Sequence, residues 1–318
     1  MIEYLLVLLG VFLLINGANF LVNGSSSLAR KLNVSDLFIG LTVVAFGTSA
    51  PEFIISIISS FRGTSEVVLG NIVGANITDI LWVLGITFLL TNVEINKKII
   101  WNRFPLSLIV ALLLIVMAND SFIGIQENSY ISRVDGFIML ILFTAFMVYS
   151  ISYSKRKKIK TKVSIKDRAL THSILFIILG SGLLFFGGKL VLDNLSLIAQ
   201  QMGISLFIIS STLLSIGTTL PEFITAIVAV KKKENDIAVG EIVGSTVFNI
   251  LVIIGLAAII HPINVDPIYN LHMIFLAFVS LILFISMMTG TKHKVEKIWG
   301  VIFLIFYILY LLISFSVI

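Results

Sequence analysis

The chain has 318 residues, of which 58% are hydrophobic and 12% charged, and its mean hydropathy is +1.09. Soluble domains carry about 45–50% apolar and about 25% charged residues, so the composition excludes a soluble globular protein and indicates an all-α membrane protein. The absence of cysteine excludes disulfides, thiol catalysis and cysteine metal sites. The excess of basic residues, 22 Lys and Arg against 17 Asp and Glu, suits loops at an anionic membrane surface rather than nucleic-acid binding.

Long apolar runs follow one another along the whole chain. A membrane span needs about 20 such residues. The first run lacks the basic start and the cleavage pattern of a signal peptide, so we expect a retained helix there. The sequence predicts ten transmembrane helices, near 3–23, 36–60, 67–91, 103–118, 134–153, 170–192, 206–230, 237–260, 270–289 and 296–316.

The basic residues predict the orientation of these spans. If both termini lie outside, nineteen of the 22 Lys and Arg residues fall in cytoplasmic connections, and only Arg62 and Arg133 fall in outside ones. Eight of the nineteen lie in the linker 155–169, where solvated charge near lipid is the simplest interpretation. The positive-inside rule therefore predicts a cell (plasma) membrane protein with both termini outside and a cytoplasmic linker.

A short motif occurs twice in the chain. Thr48–Glu52 reads Thr-Ser-Ala-Pro-Glu, and Thr218–Glu222 reads Thr-Thr-Leu-Pro-Glu. The sequence separation of Thr48 and Thr218, here called the repeat interval, aligns two consecutive spans without a gap. The span that carries the second copy is the fifth after the span that carries the first, and five is an odd number. The sequence therefore predicts two five-helix repeats of inverted topology, 1–154 and 170–318, which form one membrane domain with a substrate site near the midplane.

The proline in each motif predicts a broken helix. Pro51 and Pro221 donate no backbone N–H and clash with the preceding turn. We expect the carbonyl groups near Ala45 and Ser215 to lose their helical partners. Irregular backbone within a bilayer is tolerated only where it is buried in protein or lines a polar cavity, so these oxygens are candidate cation ligands.

Three acidic side chains lie deep within predicted spans. A carboxylate at such a depth costs about 2.5–3.5 kcal/mol, so Glu52, Glu222 and Asp79 indicate function rather than packing. Carboxylate, carbonyl and hydroxyl oxygens suit a hard cation, above all Ca²⁺. The histidines lie near span ends and are not expected to be ligands. The candidate oxygen ligands for a cation beside these acids are Thr48, Ser49, Thr218, Thr219 and Asn249.

A polar stripe at four-residue spacing follows each motif. Asn71, Ala75 and Asp79 form the first stripe, and Glu241, Ser245 and Asn249 form the second. We expect Asn71 and Glu241, near the helix ends, to be interfacial. The Gly70–Gly74 and Gly240–Gly244 pairs are expected to let each stripe pack closely against its broken neighbour.

These motifs together resemble the Na⁺/Ca²⁺ exchanger branch of the cation/Ca²⁺ exchanger superfamily, over essentially the whole chain. The resemblance implies that Glu52 and Glu222 bind Ca²⁺ together with the carbonyls of Thr48 and Thr218. It further implies flanking Na⁺ sites and a middle position, with a first and a sixth helix that slide across a fixed core. The residues implied for Na⁺ and the middle position are Ala45, Thr48, Ser49, Glu52, Asp79, Ser215, Thr218, Thr219, Glu222, Ser245 and Asn249.

The chain departs from the family pattern at two places. Ala75 stands where the family usually carries serine, so one flanking Na⁺ site is expected to lack a hydroxyl. The acid of the middle pair lies in the first half, as Asp79, and the amide Asn249 in the second. The linker is too short to hold the large regulatory domain of animal exchangers.

The predicted function is antiport of Na⁺ against Ca²⁺ by a monomer in the lipid bilayer, with these ions as substrates and no cofactor. H⁺/Ca²⁺ antiport on the same fold is the alternative, because Glu241 leaves proton coupling open. A K⁺-dependent cation antiporter on this fold is a further variant. A passive cation channel could use the same oxygens, although the repeat and the broken helices favour a carrier. An intramembrane hydrolase lacks a nucleophile–base pair in this sequence.

Overall fold

The computed structural model describes residues 2–64, 66–90, 93–94, 105–119, 129–156, 169–202, 217–289 and 294–317. Nearly all of these residues are helical. The α-helices are α1 (Ile2–Lys31), α2 (Asp36–Ile39), α3 (Ala45–Thr48), α4 (Ala50–Phe61), α5 (Glu66–Thr78), α6 (Leu84–Leu90), α7 (Pro105–Ala118), α8 (Arg133–Arg156), α9 (Leu170–Gln201), α10 (Leu220–Lys231), α11 (Asn235–Phe248), α12 (Gly255–Ile260), α13 (Pro267–Thr289) and α14 (Lys297–Val317).

Within the described ranges, three π-helical turns interrupt this α-helical pattern. They are π1 (Gly40–Val44), π2 (Asp79–Val83) and π3 (Asn249–Ile254). The described part of the chain also contains four two-residue strands in two antiparallel ladders, which an all-α prediction does not anticipate. β1 (Val93–Glu94) pairs with β4 (Lys294–Val295), and β2 (Tyr130–Ile131) pairs with β3 (Ile263–Asn264).

Among the described residues, seven helical segments are long and apolar enough to cross a membrane, and the bent pair 36–61 makes an eighth. All eight coincide with predicted spans. The predicted span 103–118 is seen from Pro105 as the short apolar helix α7, and its first two residues lie outside the described part. The predicted span 206–230 lies outside it up to residue 216 and continues as α10.

The outer surface of α1 is apolar, as expected for a helix that faces lipid. Leu5, Leu8 and Phe12 are 65%, 67% and 63% exposed. Such a continuous exposed apolar face is unusual on a soluble protein. The structure therefore supports the prediction from composition that this chain spans a membrane.

Helix α1 ends eight residues later than its predicted span, at Lys31 instead of residue 23. The extension is rich in serine, which a search for apolar runs excludes. In the structure these serines are buried, and two of them are hydrogen-bonded: Ser26 donates to the Glu234 carboxylate at 2.9 Å, and Ser173 on α9 donates to Ser27 at 2.9 Å. Tertiary contacts thus satisfy hydroxyls that would otherwise make the helix end unfavourable.

The burial of Glu234 predicts that the stability of the folded protein depends on pH. Burial raises the pKa of the Glu234 carboxyl above its ordinary value of 4.5, while Ser26, Arg30 and Lys232 lower it in part. The folded protein then holds this proton more tightly than the unfolded chain, so stability is lost as pH rises from 4.5 through the raised pKa. Glu234→Gln keeps an acceptor for Ser26 without the charge.

We expect the Glu234→Gln protein to melt a few degrees higher than the parent at pH 8 and to match it near pH 4. Melting curves across this pH range measure the effect. Glu296→Gln, which changes an exposed acid, is the control and should leave the pH profile unchanged. A Glu234→Gln protein that is less stable than the parent at pH 8 would contradict the interpretation.

Residue contacts divide the chain into two compact units. Unit 1 comprises Met1–Pro51 and Ser150–Gly244, and unit 2 comprises Glu52–Tyr149 and Ser245–Ile318. Each unit therefore takes one segment from the first half of the sequence and one from the second.

In unit 1, α1 and α9 approach so closely that only glycine fits between them. An added Cβ at Gly10 would lie 2.9 Å from the Gly187 carbonyl oxygen, and one at Gly17 would lie 2.9 Å from the Gly180 carbonyl oxygen. The contacts run in opposite order along the two helices, so α1 and α9 are antiparallel. Gly180 and Gly187 follow Gly10 and Gly17 at the repeat interval.

Unit 2 has the same kind of reciprocal contact. Gly85 on α6 packs against Gly300 on α14, and Gly255 on α12 packs against Gly136 on α8. Gly255 follows Gly85 at the repeat interval, and Gly300 follows Gly136 at a slightly shorter separation. The two strand ladders also pair one segment from each half of the sequence.

Candidate cation site

The two repeated motifs interrupt their helices at corresponding residues. The first helix pair bends by 54° at Ser49, where φ is −75° and ψ is 15°. Thr219, the counterpart of Ser49, has φ −88° and ψ 2° and precedes α10. Glu52 and Glu222 therefore each lie in the first turn of a new helix, where the helix dipole favours a negative charge.

The break exposes fewer carbonyl groups than expected. The Ala45 carbonyl accepts the Ser49 N–H at 3.0 Å, and the Thr48 hydroxyl lies 3.3 Å from it. The prediction that Ala45 loses its helical partner is therefore wrong. The reason is that Pro51 removes only its own N–H, whose helical acceptor would be the Gly47 carbonyl. Ser215 lies outside the described residues.

Unit 1 brings together polar residues from both motifs. The Ser49 hydroxyl donates a long hydrogen bond, 3.4 Å, to Oε1 of Glu222, and the Thr48 side chain also lies within hydrogen-bonding reach of that carboxyl. Glu222 is 1% exposed, and its Oε2 has no hydrogen-bond partner among the described residues. Thr218 and Thr219 are buried in the same unit. A desolvated carboxylate oxygen is thus held beside two hydroxyls, a set that suits a hard cation.

Glu52 is equally buried within unit 2, at 1% exposure. Asn71 on α5 donates to the Ser56 hydroxyl at 3.2 Å and, more weakly, to the Glu52 carbonyl at 3.5 Å. Asn71 therefore fastens α5 to the first turns of α4. The Asn71 side chain is half-buried and faces a neighbouring helix, and its expected place near the membrane interface stays a prediction.

A π-turn begins at each of the two middle residues. π2 starts at Asp79 and π3 starts at its repeat counterpart Asn249, and both side chains are 1% exposed. Asn249 donates to Oδ1 of Asn76 at 2.9 Å, and its own Oδ1 has no hydrogen-bond partner among the described residues. π-turns of this kind are common at functional sites, because the inserted residue redirects side chains and backbone groups. Ser245, which also belongs to unit 2, is completely buried.

Glu241 is buried within the protein, although its position near a helix end predicts a residue exposed at the membrane interface. The residue is 0% exposed, because α11 packs closely against α2 and π1 in unit 1. An added Cβ at Gly240 would lie 2.8 Å from the Leu37 carbonyl oxygen, and one at Gly244 would collide with the Leu41 carbonyl oxygen. This glycine pair thus lets α11 approach the broken helix of the other half, and not its own as predicted.

The first-half glycine pair shows no such approach among the described residues. The nearest atom to an added Cβ at Gly70 belongs to Tyr269, at 3.8 Å, and none lies within 4 Å at Gly74. The counterparts of Leu37 and Leu41 are residues 207 and 211, which lie outside the described part. Close packing at Gly70 and Gly74 therefore stays a prediction.

Gly244→Ala should destabilise the protein by about 1–3 kcal/mol, because the new methyl group meets backbone that cannot move aside as a side chain can. Thermal unfolding of the purified protein in detergent measures the loss. Gly182→Ala is the matched control, since no described atom lies within 4 Å of its added Cβ. Equal melting temperatures for the two variants would show that the close approach at Gly244 is not tight in solution.

All predicted site residues within the described part are buried, including the small ones that flank the acids. Among the described residues, no group of three or more His, Asp or Glu side chains lies close enough to hold a metal ion. The sequence analysis missed the π-turns and the hydrogen bond between Asn249 and Asn76.

Comparison with known proteins gives the family. The sequence profile of the sodium/calcium exchanger protein family matches residues 2–152 and 172–316, which together make up most of the chain. The chain belongs to the sodium/calcium exchanger family. The starts of the two matched ranges are separated by the repeat interval. The family consists of transporters, so the chain is a membrane transporter of cations rather than an enzyme.

Relatives that align over most of their length are found in bacteria and archaea. Inner membrane protein YrbG of Escherichia coli (strain K12) is 32% identical over 271 residues, with 82% of this chain and 81% of YrbG aligned. Sodium/calcium exchanger MaX1 of Methanosarcina acetivorans is 28% identical over 350 residues, with 99% of each chain aligned. The solved structure of the sodium/calcium exchanger from Methanococcus jannaschii is 26% identical, has a TM-score of 0.82 and covers 97% of each chain.

Proposed function

We propose that this sodium/calcium exchanger family member couples Na⁺ movement to Ca²⁺ movement in the opposite direction by alternating access. Glu52 and Glu222 share one cation near the membrane midplane, together with the carbonyls of Thr48 and Thr218. The observation that carries the proposal is the contact of Ser49 with Glu222, since it joins the break of one repeat to the acid of the other.

The proposal includes two inverted five-helix repeats, 1–154 and 170–318, connected by a cytoplasmic linker, 155–169. Reciprocal glycine contacts support it: Gly10 meets Gly187 and Gly17 meets Gly180, as expected for elements related by a two-fold axis. The second glycine of each pair is the repeat counterpart of the first glycine of the other. The same reciprocity holds for Gly85 with Gly300 and Gly136 with Gly255 in unit 2.

The glycine contacts also support a sliding motion of α1 and α9. Backbone meets backbone at Gly10, Gly17, Gly180 and Gly187, so α1 and α9 form a closely packed pair. Two helices joined this closely can move as one body over their neighbours. We propose that this pair carries the change between the inward-open and outward-open states of a monomer in the plasma membrane.

Charge makes the two ions compete. Glu52, Glu222 and Asp79 can neutralise one Ca²⁺ or several Na⁺, but both loads together would leave excess positive charge in a medium of low dielectric constant. The Na⁺ ligands proposed beside these acids are Ala45, Thr48, Ser49, Ser215, Thr218, Thr219, Ser245 and Asn249. Ala75, the counterpart of Ser245, supplies no hydroxyl, so one flanking position is the weaker one.

Proton coupling is the second candidate, and Glu241 favours it. This carboxyl is completely buried in unit 1, and its counterpart in the other half of the sequence is the amide Asn71. A buried carboxyl group can take up and release a proton in a transport cycle, which an amide cannot.

One experiment separates these candidates. The purified protein is reconstituted in vesicles, and ⁴⁵Ca²⁺ uptake is measured while Na⁺, K⁺ and pH gradients are imposed one at a time. We expect uptake with an outward Na⁺ gradient alone and a dependence on membrane potential. Uptake that needs only a pH gradient would replace the proposal with H⁺/Ca²⁺ antiport, and flux that does not saturate and needs no counter-ion would indicate a channel.

A further inference from the structure

Helix α14 packs antiparallel to the segment that carries Asp79. An added Cβ at Gly85 would lie 3.2 Å from Leu304 and 3.3 Å from Phe303, and one at Gly300 would lie 2.6 Å from the Gly85 carbonyl oxygen. Phe88 and Phe303 extend the contact, with ring centroids 5.7 Å apart. This tight contact fixes the register of α14 against α6 and π2.

The register brings Tyr307 to the start of π2. Tyr307 lies seven residues after Gly300, and Thr78 lies seven residues before Gly85, so both are about 10 Å from the glycine contact on antiparallel segments. The Tyr307 side chain is 5% exposed, lies near the Thr78 side chain and is within range of the Asp79 charge. Its hydroxyl is buried. The Thr78 side chain is within hydrogen-bonding reach of this hydroxyl, but no described residue forms a hydrogen bond with it at ordinary distance and angle.

The other half of unit 2 has an apolar version of the same contact. Gly136 and Gly255 correspond to Gly300 and Gly85, and the same register places Phe143 against Phe248, with ring centroids 6.2 Å apart. Phe143 corresponds to Tyr307, and Phe248 corresponds to Thr78. The half that carries Asp79 thus has a tyrosine and a threonine, whereas the half that carries Asn249 has two phenylalanines.

We propose that Tyr307 is a positioning residue for Asp79, which it holds by donating its phenolic hydroxyl to one carboxylate oxygen. The proposal rests on the cation site proposed above. A buried hydroxyl needs a partner, and a carboxylate accepts a stronger hydrogen bond than a neutral group does. Asn249 carries its own donor and is held by Asn76, so the matching position needs no hydroxyl.

The consequence concerns cation binding at the middle position. A carboxylate whose orientation is fixed by one donor presents its other oxygen to the ion without losing rotamer freedom at each binding event. Tyr307 itself does not contact the ion. It makes the Asp79 half of the site rigid, and it adds α14 to the elements that determine Na⁺ affinity.

Tyr307→Phe tests the inference, because phenylalanine is the residue that the chain itself uses in the other half. We expect the Na⁺ concentration for half-maximal exchange to rise about tenfold, with the maximal rate within about twofold of the parent, as for loss of a hydrogen bond to a charged group. Tyr310→Phe is the matched control on the same helix. Tyr310 stacks on Phe275, with ring centroids 5.2 Å apart, and should leave the Na⁺ dependence unchanged.

The decisive comparison is a double-mutant cycle with Asp79→Asn. If Tyr307 acts through Asp79, Tyr307→Phe has no further effect on Na⁺ dependence in the Asp79→Asn protein. An effect of the same size in both backgrounds, or none in the parent, would overturn the inference while Na⁺-driven Ca²⁺ uptake by the parent still supports the proposed function. A parent protein without such uptake would instead overturn the proposed function, and equilibrium ²²Na⁺ binding to the same four proteins would still test the role of Tyr307.

Discussion

Glu52→Gln and Glu222→Gln should each abolish Na⁺-dependent Ca²⁺ uptake into vesicles, with losses of at least about a hundredfold. Each change keeps the size of the side chain and removes one of the two charges that the proposed site offers to Ca²⁺. Both carboxyl groups are 1% exposed, so water cannot reach the bound Ca²⁺ and compensate for the lost negative charge. Removing one member of a buried charge pairing typically costs about 3–5 kcal/mol, which corresponds to roughly a hundredfold or more in affinity.

Folding must be separated from function in this experiment. The glutamine variants should reach the parent's melting temperature without Ca²⁺, because a neutral side chain relieves the cost of a buried charge. Glu296→Gln, which alters an exposed acid, is the control for uptake. If either variant at the motif positions transports Ca²⁺ at the parent's rate, the assignment of these two residues fails.

Asp79→Asn should separate the two ions. Glu52 and Glu222 alone can balance the charge of Ca²⁺, but several Na⁺ need the third carboxylate as well. We therefore expect exchange of Ca²⁺ for Ca²⁺ to continue, while uptake driven by a Na⁺ gradient falls by at least about tenfold, since the charge lost is buried. The measurement compares ⁴⁵Ca²⁺ uptake into vesicles that contain either unlabelled Ca²⁺ or Na⁺.

Asp266→Asn is the control for this pair of assays, because it changes an exposed acid in the same unit. Equal losses of both activities in Asp79→Asn would show that Asp79 contributes to the Ca²⁺ ligands themselves. Retention of both would remove Asp79 from the proposed site.

The sequence predicts much of this fold because the membrane imposes simple rules. Apolar runs of sufficient length become helices, and a proline in the middle of a run breaks the helix. The breaks at Ser49 and Thr219 are therefore found where Pro51 and Pro221 place them. The burial of Glu52, Glu222 and Asp79 follows from the same reasoning, since an acid in a span is retained only where protein surrounds it.

Other features depend on contacts that a linear pattern does not contain. The serines at the end of α1 look like a loop until their partners, Glu234 and Ser173, are known. The π-turns at Asp79 and Asn249 have no recognised residue signature, because one extra residue in a helical turn depends on packing from neighbouring helices. The complete burial of Glu241 depends on packing between helices, which its position near the end of a span does not show.

The glycine contact between α1 and α9 is a missed feature that the sequence does contain. Gly10 and Gly17 recur as Gly180 and Gly187 at the repeat interval, so the sequence contains the reciprocal contact between α1 and α9. Glycines within a span favour close helix packing. The repeat interval, applied to the first span of each half, predicts this close packing of α1 against α9.

Calcium binding to the purified protein tests the central claim most directly. Isothermal titration in Na⁺-free buffer gives the number of Ca²⁺ ions bound by the parent, by Glu52→Gln and by Glu222→Gln. If the two acids share an ion, the parent binds one Ca²⁺ with high affinity, and each single substitution removes that binding completely. Two bound ions in the parent, with one lost in each variant, would mean that the acids form separate sites and would contradict the account.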